Sequence, residues 1–349
     1  MKTAIIGFGF MGSMHAQVYA SLSNASLAAV VDIFPDSAKE KLQALGIDVP
    51  VYTGLERLLH EVDIEAVDIC SPTDQHEELA KTAAAAGKHL FIEKPLAFDL
   101  ESCREIRNAV EEAGVFAQVG HCIRFWPEYI ALKEFIDSGK GGKLKSLSLQ
   151  RRAARPAYSQ GDWLNNESRS GGAAFDLHIH DTDFIIHLLG LPRSVYSKAS
   201  QGRSGPDHVF TLYDYDAVAV HAEGGWDYPG KYGFCMAFEA VFEHASIAYN
   251  SASGKPLTLA LANAEPVAMT VQQPGPKESC TGGGNIASLG GYYNQIEYFT
   301  NCIKTGKAPQ VATIAQATDS VRVTLAELES ALSAQPITIQ AISKKNPAL

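Results

Sequence analysis

The sequence predicts a two-domain α/β protein, in which a doubly wound parallel sheet is followed by an α+β domain with a large, mainly antiparallel sheet. Up to about residue 120, short apolar runs alternate with amphipathic segments, as helices covering both faces of a parallel sheet require. Beyond residue 121, strand-like runs follow one another without intervening helices, which favours antiparallel pairing. Because 349 residues exceed what one core usually holds, we place the domains at 1–121 and 122–349.

The first domain is predicted from short buried runs separated by helices. The strands are expected at Thr3–Ile6, Leu27–Asp32, Val49–Tyr52, Ala66–Cys70, His89–Ile92 and Val115–Val119. The helices are expected at Met11–Leu22, Pro35–Leu45, Gly54–Glu61, Gln75–Ala86 and Leu100–Glu112. Pro35 and Asp99 stand at helix-start positions, and Gly87 and Gly114 at helix-end positions.

The second domain mixes helices with consecutive strands. Its helices are predicted at Glu128–Asp137, Gly172–Gly190, Tyr292–Lys304 and Ile314–Leu332. Its strands are predicted at Lys145–Gln150, His208–Tyr213, Val218–Ala222 and Ala245–Tyr249. The turn-rich stretch Gly282–Gly284 is expected to be a loop, and the C-terminal helices are expected to pack back on the first domain.

Composition and charge narrow the classes of protein and of partner. Apolar residues make up 46% of the chain and charged residues 19%, which is the composition of a globular protein with a sizeable core. The formal charge of -10 argues against nucleic acid or an anionic membrane as the main partner, because either would repel an acidic surface. The six cysteines form no C-x-x-C pair, and no apolar run reaches transmembrane length or resembles a signal peptide. We therefore expect a cytoplasmic protein.

The first strand runs directly into a glycine pattern. Gly7, Gly9 and Gly12 satisfy G-x-G-x-x-G after a strand and at the start of a helix. In the Rossmann form of the doubly wound fold, such glycines permit a tight turn, close approach of a pyrophosphate and close packing of the helix. Asp32 ends the second strand about twenty residues later, where a carboxylate accepts hydrogen bonds from the adenosine ribose. Together these residues predict a dinucleotide site.

Asp32 also bears on which dinucleotide binds. A carboxylate repels the 2′-phosphate of NADP, and the residues that follow, Ile33, Phe34 and Pro35, supply no basic side chain to attract it. The sequence therefore predicts NAD as the cofactor, in preference to NADP.

Polar residues also follow the fourth and fifth predicted strands. Ser71, Pro72 and Thr73 come after one, and Glu93-Lys94-Pro95 after the other. Both turns should border the cofactor, because ligands of open parallel sheets bind outside the carboxyl ends of the strands. On these residues alone, Lys94 is either part of that cleft or a solvated lysine at a strand end.

The predicted helix Gly172–Gly190 sets polar side chains into an apolar sequence. Asp176 and His180 are four residues apart, which places them on one helix face, where a carboxylate can orient an imidazole that acts as a base. Asp183 and His187 continue near that line. Three interpretations stay open: an acid–base pair, the solvated face of a surface helix, and a zinc or iron site built from the two Asp and two His.

These motifs resemble those of the Gfo/Idh/MocA oxidoreductases, named for glucose-fructose oxidoreductase, inositol dehydrogenase and a rhizopine-catabolism protein. Besides the glycine pattern, the matching features are S-P-T at 71–73, E-K-P at 93–95, G-H-x-x-R-F at 120–125, and G-G ahead of D-x-x-x-H-x-x-D at 176–183. The resemblance covers nearly the whole chain. It implies an NAD-dependent enzyme whose second domain presents an open sheet face that forms a homo-oligomer, a dimer or a tetramer. His178 stands where many relatives have glycine, and we expect it to alter the pocket wall.

The resemblance also implies roles for single residues. Lys94 would bond the reacting hydroxyl and touch the nicotinamide ribose, His180 would act as acid or base, and Asp176 would position the site. Arg152 and Trp163 are expected to line the substrate cavity. The residues expected to bind the cofactor are Gly7, Phe8, Gly9, Phe10, Met11, Gly12, Asp32, Ile33, Ser71, Pro72, Thr73, His76, Glu93, Lys94, His121 and Cys122.

The predicted reaction is hydride transfer between NAD and a secondary carbinol of a sugar, an inositol or a sugar derivative, without a metal. One alternative is an NAD-binding sensor or regulator of the same fold that has lost catalysis. Such a chain would be expected to lack Lys94 or His180, and this chain keeps both. The other alternative is a metal-dependent enzyme that uses the Asp/His helix, which metal analysis of the purified protein would reveal.

Overall fold

The computed structural model describes residues 1–157, 159–273 and 289–339. The chain divides into two compact units. The first takes its described residues from Met1–Phe125, Tyr158–Trp163 and Pro274–Thr318. The second takes them from Trp126–Ala157, Leu164–Gln273 and Asp319–Leu349. The predicted loop at Gly282–Gly284 lies outside the described residues.

The first unit is built on a parallel sheet. Its described strands are β1 Lys2–Ile6, β2 Ser26–Val31, β3 Val51–Tyr52, β4 Ala66–Ile69, β5 His89–Ile92 and β6 Ala117–Val119. They lie in the order β3-β2-β1-β4-β5-β6, and every described pair is parallel. The chain therefore builds outward in both directions from β1, and the carboxyl ends of β1 and β4 flank the crevice at which such sheets bind ligands. The predicted doubly wound sheet is confirmed.

Helices connect these strands. Numbered in chain order, the α-helices that lie wholly in this unit are α1 Phe10–Ser21, α2 Pro35–Ala44, α3 Leu55–Glu61, α4 His76–Ala85, α5 Leu100–Ala113 and α9 Gly290–Thr305. The Asp99 side chain accepts a 2.7 Å hydrogen bond from the Ser102 N–H and so caps the start of α5, as predicted. Gly114 ends α5 with a φ of 64°. Helix α9 packs against α1 within this unit.

The second unit is built on a large sheet. Its described strands are β7 Leu144–Ala154, β8 Ser194–Gly202, β9 Gly205–Asp214, β10 Ala219–Tyr228, β11 Cys235–Phe242, β12 Ala245–Asn250, β13 Thr258–Leu261, β14 Val267–Ala268 and β15 Ile337–Thr338. Their order is β14-β13-β12-β11-β7-β10-β9-β8-β15. Among the described pairs, β7 with β10 is parallel and the others are antiparallel, which confirms a mainly antiparallel sheet.

Helices cover one face of this sheet. They are α6 Pro127–Ser138, α7 Glu167–Ser170, α8 Ile179–Leu189 and, from Asp319 onward, α10 Ile314–Ser333. Along β7 the side chains alternate, so that Leu147, Leu149 and Arg151 are buried on the helix side while their neighbours along the strand are only half-buried. Within the described part of the chain, no helix has both the length and the hydrophobicity needed to cross a membrane.

Candidate active site

The glycine turn after β1 leaves space where a dinucleotide phosphate would bind. A Cβ on Gly7, whose φ is 87°, would lie 2.7 Å from the Ser71 amide nitrogen, and a Cβ on Gly12 would overlap the Gly7 carbonyl oxygen. A Cβ on Gly9, by contrast, would meet no atom of the described residues within 4 Å. Gly9 immediately precedes α1, so this open space coincides with a helix N-terminus. The turn therefore fits a pyrophosphate.

Asp32 is held beside this turn by backbone donors. The Phe8 N–H donates to Asp32 Oδ2 at 2.6 Å, and the Phe34 N–H donates to Oδ1 at 2.7 Å. Lys41 reaches back from α2 and donates to the Phe8 carbonyl oxygen at 2.9 Å. This contact of Lys41 was not predicted, because the pattern of apolar residues in α2 does not show where the side chain of a lysine on that helix lies. The carboxylate is thus fixed at the end of β2, as the predicted ribose-binding role requires.

The turns after β4 and β5 are tied together by His76. Its imidazole lies between the carbonyl oxygens of Ser71 and Pro95, each 3.0 Å from a ring nitrogen. Burial lowers the pKa of His76, which favours the neutral ring. Because His76 is fully buried, it supports the two turns from within the unit.

Lys94 is the second residue after β5 and is half-buried. Its backbone N–H donates to Glu93 Oε2 at 3.2 Å, and its peptide bond to Pro95 is cis. His121 and Cys122 follow β6 and are both buried. The residues of the first unit that were predicted to bind the cofactor thus follow the carboxyl ends of the parallel strands or lie at the start of α1. These positions are all at one end of the sheet.

In the second unit, Asp176 and His180 share one partly accessible face. Asp176 lies in a π-helical turn, Ala174–His178, which replaces the first part of the continuous helix that was predicted, and His180 lies in the first turn of α8. Both side chains are half-buried, whereas residues 177–179 and 181–186 are buried. Because most of this helical segment is buried, it does not fit one of the three interpretations given above, the solvated face of a surface helix. π-Helical turns occur frequently at functional sites.

Two neighbouring residues face the interior of the unit instead. His178 is fully buried, with Nε2 3.2 Å from Thr211 Oγ1 and 3.6 Å from Glu327 Oε1. It therefore belongs to a polar network in the core and does not lie on the face that carries Asp176 and His180. Asp183 is also buried and accepts a 2.7 Å hydrogen bond from the Ser320 hydroxyl.

A buried ion pair anchors the helix that carries His180. Arg151 Nη2 donates to Asp181 Oδ1 at 2.8 Å, and both side chains are almost completely buried. Burial raises the pKa of Asp181, although the Arg151 guanidinium opposes that rise. Arg151 was not predicted to be a functional or structural residue. The available signal was the alternation along β7, which places this residue between apolar ones on the buried face.

Removing Arg151 is expected to destabilise the second unit. The variant Arg151→Met leaves Asp181 buried without its cation, so we expect the free energy of unfolding to fall by about 3–5 kcal/mol in urea denaturation. Arg152→Met is the matched control, because Arg152 is the adjacent, half-buried residue on the other side of the strand, and we expect it to cost less than about 1 kcal/mol. Equal losses in the two variants would contradict a stabilising role for the ion pair.

Arg152 and Trp163, both expected to line the substrate cavity, belong to different compact units of the chain. Arg152 points to the face of the sheet opposite the helices, where its Nη2 donates to Gln150 Oε1 at 2.9 Å. The structure therefore does not bring Arg152 together with Asp176 and His180. Trp163 is half-buried in a 3-10 segment, Gln160–Asn165, and is grouped with the first unit.

The fold and the glycine turn define a dinucleotide-binding Rossmann protein with a second α+β unit. The model of an oxidoreductase family with an NAD-binding Rossmann fold matches residues 1–121, and the model of the GFO/IDH/MocA C-terminal domain matches residues 129–248. The chain belongs to the Gfo/Idh/MocA family, and its N-terminal part is an NAD-binding Rossmann domain.

Individual relatives and solved structures agree with this assignment. Inositol 2-dehydrogenase of Rhizobium meliloti (strain 1021) is 34% identical over 227 residues, which are 63% of this chain and 64% of the relative. The match thus spans less than two thirds of that relative. The scyllo-inositol 2-dehydrogenase (NAD(+)) of Bacillus subtilis (strain 168) is 27% identical over 97% of this chain and 96% of its own length. A levoglucosan dehydrogenase solved with NADH and levoglucosan has a TM-score of 0.81 and 24% identity, covering 98% of this chain and 100% of its own, and shows the shared fold.

Proposed function

We propose that this chain is an NAD-dependent dehydrogenase that transfers a hydride between the nicotinamide and a secondary carbinol of a sugar, an inositol or a sugar derivative. The observation that carries this proposal is the position of Lys94, two residues beyond the end of β5, at the same end of the parallel sheet as the glycine turn. The names of the inositol dehydrogenase relatives support the substrate class. The proposal divides the chain into a cofactor-binding domain at 1–121 and a substrate-binding domain at 122–349.

The chemistry assigns a separate task to each of three side chains. As a secondary alcohol becomes a ketone, its hydroxyl proton must leave and its oxygen must carry developing negative charge. His180 takes that proton as the general base, and Asp176 orients the imidazole. Lys94 stabilises the charge on the oxygen with its ammonium group, which acts more strongly where water is excluded. NAD, when bound, supplies the hydride acceptor.

The proposal names NAD over NADP because of the charge at the end of β2. Asp32 is fixed beside the glycine turn through the Phe8 and Phe34 N–H groups, so its carboxylate is already oriented before a cofactor arrives. A 2′-phosphate placed next to this carboxylate would be repelled. The exposed residue that follows, Ile33, offers no compensating charge.

The test of this function is NAD reduction followed by absorbance, across a panel of inositols, aldoses and sugar derivatives. We expect NAD reduction with at least one polyol or sugar, and weaker activity with NADP. A chain that binds NAD but reduces it with no member of the panel would support the regulatory alternative. Stoichiometric zinc or iron in the purified protein would support the metal-dependent alternative.

We further propose that the open face of the large sheet joins copies of this chain into a dimer or tetramer. Phe210, Leu212 and Val241 all lie on the sheet face opposite the helices and are 50%, 59% and 42% exposed. Phe210 and Leu212 are alternate residues of β9 and are therefore neighbours on this face, and exposed apolar neighbours of this kind are typical of interaction surfaces.

This surface gives a prediction about mass in solution. The double variant Phe210→Asp, Leu212→Asp places charge on the open face, so we expect sedimentation analysis to show a smaller species than the wild type. Val267→Asp is the control, since Val267 is exposed on the short strand β14 at one end of the sheet. A monomeric wild type, or a double variant of unchanged mass, would contradict the proposal.

A further inference from the structure

A buried imidazole lies behind the turn that carries Lys94. His15 of α1 is fully buried, and its two ring nitrogens face two different carboxylates. Nδ1 lies 2.9 Å from Asp68 Oδ2, and Nε2 lies 3.3 Å from Glu93 Oε1. Asp68 belongs to β4 and is fully buried, and the Tyr19 hydroxyl also donates to it, at 3.1 Å. The contacts thus run from Asp68 through His15 to Glu93, the residue before Lys94.

The charges around His15 favour its protonated form. Burial opposes a charged imidazole, but the adjacent Asp68 carboxylate outweighs it, so that the pKa of His15 lies well above its usual value. Burial and Asp68 raise the pKa of the Cys70 thiol, which therefore stays neutral. The other ring neighbours are Phe91, edge-on at 5.4 Å, and Tyr292 at 6.2 Å. A protonated His15 can donate to Asp68 and form an ion pair with Glu93 at 3.3 Å at the same time.

Glu93 is confined on several sides. One carboxylate oxygen faces the His15 ring as an ion pair at 3.3 Å, and the other accepts a hydrogen bond from the Lys94 N–H. On a third side, a Cβ on Gly120 would lie 2.8 Å from the Glu93 carboxyl carbon, so the carboxyl group packs directly against this glycine. Because the Lys94 N–H donates a hydrogen bond to this carboxylate, the position of the Lys94 backbone, and with it the position of the side chain, depends on the orientation of Glu93.

We propose that His15 is a positioning residue for Lys94: by bridging Asp68 and Glu93, it fixes the Glu93 carboxylate, which in turn fixes the backbone from which the Lys94 side chain extends. This inference rests on the proposed function, because it assigns a catalytic role to Lys94. His15 itself touches neither substrate nor cofactor in this scheme. Replacing His15 should therefore lower turnover and leave the binding of NAD and of substrate largely unchanged.

Replacing His15 with Gln or with Asn, whose amide groups each mimic one ring nitrogen, tests the two contacts of the imidazole separately. In His15→Gln the amide nitrogen reaches the position of Nε2 and can still donate to Glu93. In His15→Asn it occupies the position of Nδ1, which keeps the contact with Asp68 and loses the contact with Glu93. Both variants lose the same charge in the same helix, so a difference between them reports on the Glu93 contact. A role in stability alone predicts no such difference in turnover.

We expect His15→Asn to lower kcat by about a hundredfold, since a small misplacement of a catalytic group has an effect of that order, with KM and the Kd for NAD within about threefold of wild type. His15→Gln should recover most of the lost turnover. His89→Asn is the control, because this half-buried histidine begins the same strand, β5, and its ring stacks on Phe116 and accepts a hydrogen bond from the Phe116 N–H. Equal kcat in the Asn and Gln variants, or wild-type kcat in His15→Asn, would overturn the inference.

A spectroscopic readout keeps this test independent of activity. In NAD-bound protein labelled with ¹⁵N-lysine, the Lys94 amide is identified as the signal that disappears in Lys94→Arg. It should shift in His15→Asn and stay near its wild-type position in His15→Gln. If the wild type reduces NAD with no substrate, the proposed function fails, while this spectrum still decides whether His15 positions Lys94. A Lys94 signal that is the same in wild type and in His15→Asn would contradict the inference.

If His15→Asn does not fold, a variant of Glu93 tests the same His15–Glu93 contact. Glu93→Gln keeps an acceptor for the Lys94 N–H but gives His15 a neutral partner. We expect a shifted Lys94 amide signal and a loss of at least about tenfold in kcat. An unchanged signal together with unchanged kcat would overturn the inference by this route as well.

Discussion

Replacing Lys94 with methionine is expected to lower kcat by about two to three orders of magnitude, the effect typical of removing one charge stabiliser from a reacting oxygen. Methionine keeps the length and the apolar stem of lysine and lacks the ammonium group. Because Asp32 and the glycine turn are expected to bind the remainder of the cofactor, the Kd for NAD measured by fluorescence should change by no more than about tenfold.

The matched control for this variant is Lys88→Met. Lys88 lies just before β5, at the other end of the strand, is half-buried as Lys94 is, and donates to the Ile64 carbonyl oxygen at 2.8 Å. We expect this variant to keep wild-type turnover. Wild-type kcat in Lys94→Met, or equal losses in both variants, would remove Lys94 from the mechanism.

Replacing His180 with alanine is expected to lower kcat by about 10²–10⁴-fold, the range typical of a lost general base. The control is His187→Ala, since His187 is half-buried on the same helix, two turns further on. It should keep near-wild-type turnover. If the two variants were equally active, the base would have to be sought elsewhere.

Asp176 allows the role of His180 to be examined by a double-mutant cycle. If the carboxylate acts only through the imidazole, Asp176→Asn should lower kcat in the wild-type background and have little further effect in His180→Ala. Losses that add independently would show that Asp176 acts on the substrate by another route. Initial rates of NADH formation at saturating NAD provide the measurement.

Much of the first unit could be predicted from the sequence, because its signals are local. Gly7, Gly9 and Gly12 lie within six residues of one another, where β1 leads into α1, and Asp99 caps a helix that begins at the next residue. Each of these residues acts on backbone within a few positions of itself. The position of Lys94 at a strand end followed from the apolar run before it.

Other features could not be predicted, because they depend on contacts between distant segments. His15 and Asp68 are 53 residues apart in the chain, and Arg151 and Asp181 are 30 apart. The π-helical turn at Ala174–His178 has no periodicity that distinguishes it from an α-helix over so short a length. Strand β8, with the polar sequence S-K-A-S-Q-G at its end, was missed because its side chains show no clean apolar alternation.

The most direct measurement follows one hydrogen atom. A polyol or sugar that supports NAD reduction is prepared with deuterium on its reacting carbinol carbon, and the reduced nicotinamide is analysed by mass spectrometry. Direct hydride transfer predicts that the deuterium appears in the reduced cofactor. Deuterium that stays in the carbohydrate product, or that is released to water while NADH forms, would contradict the proposed reaction.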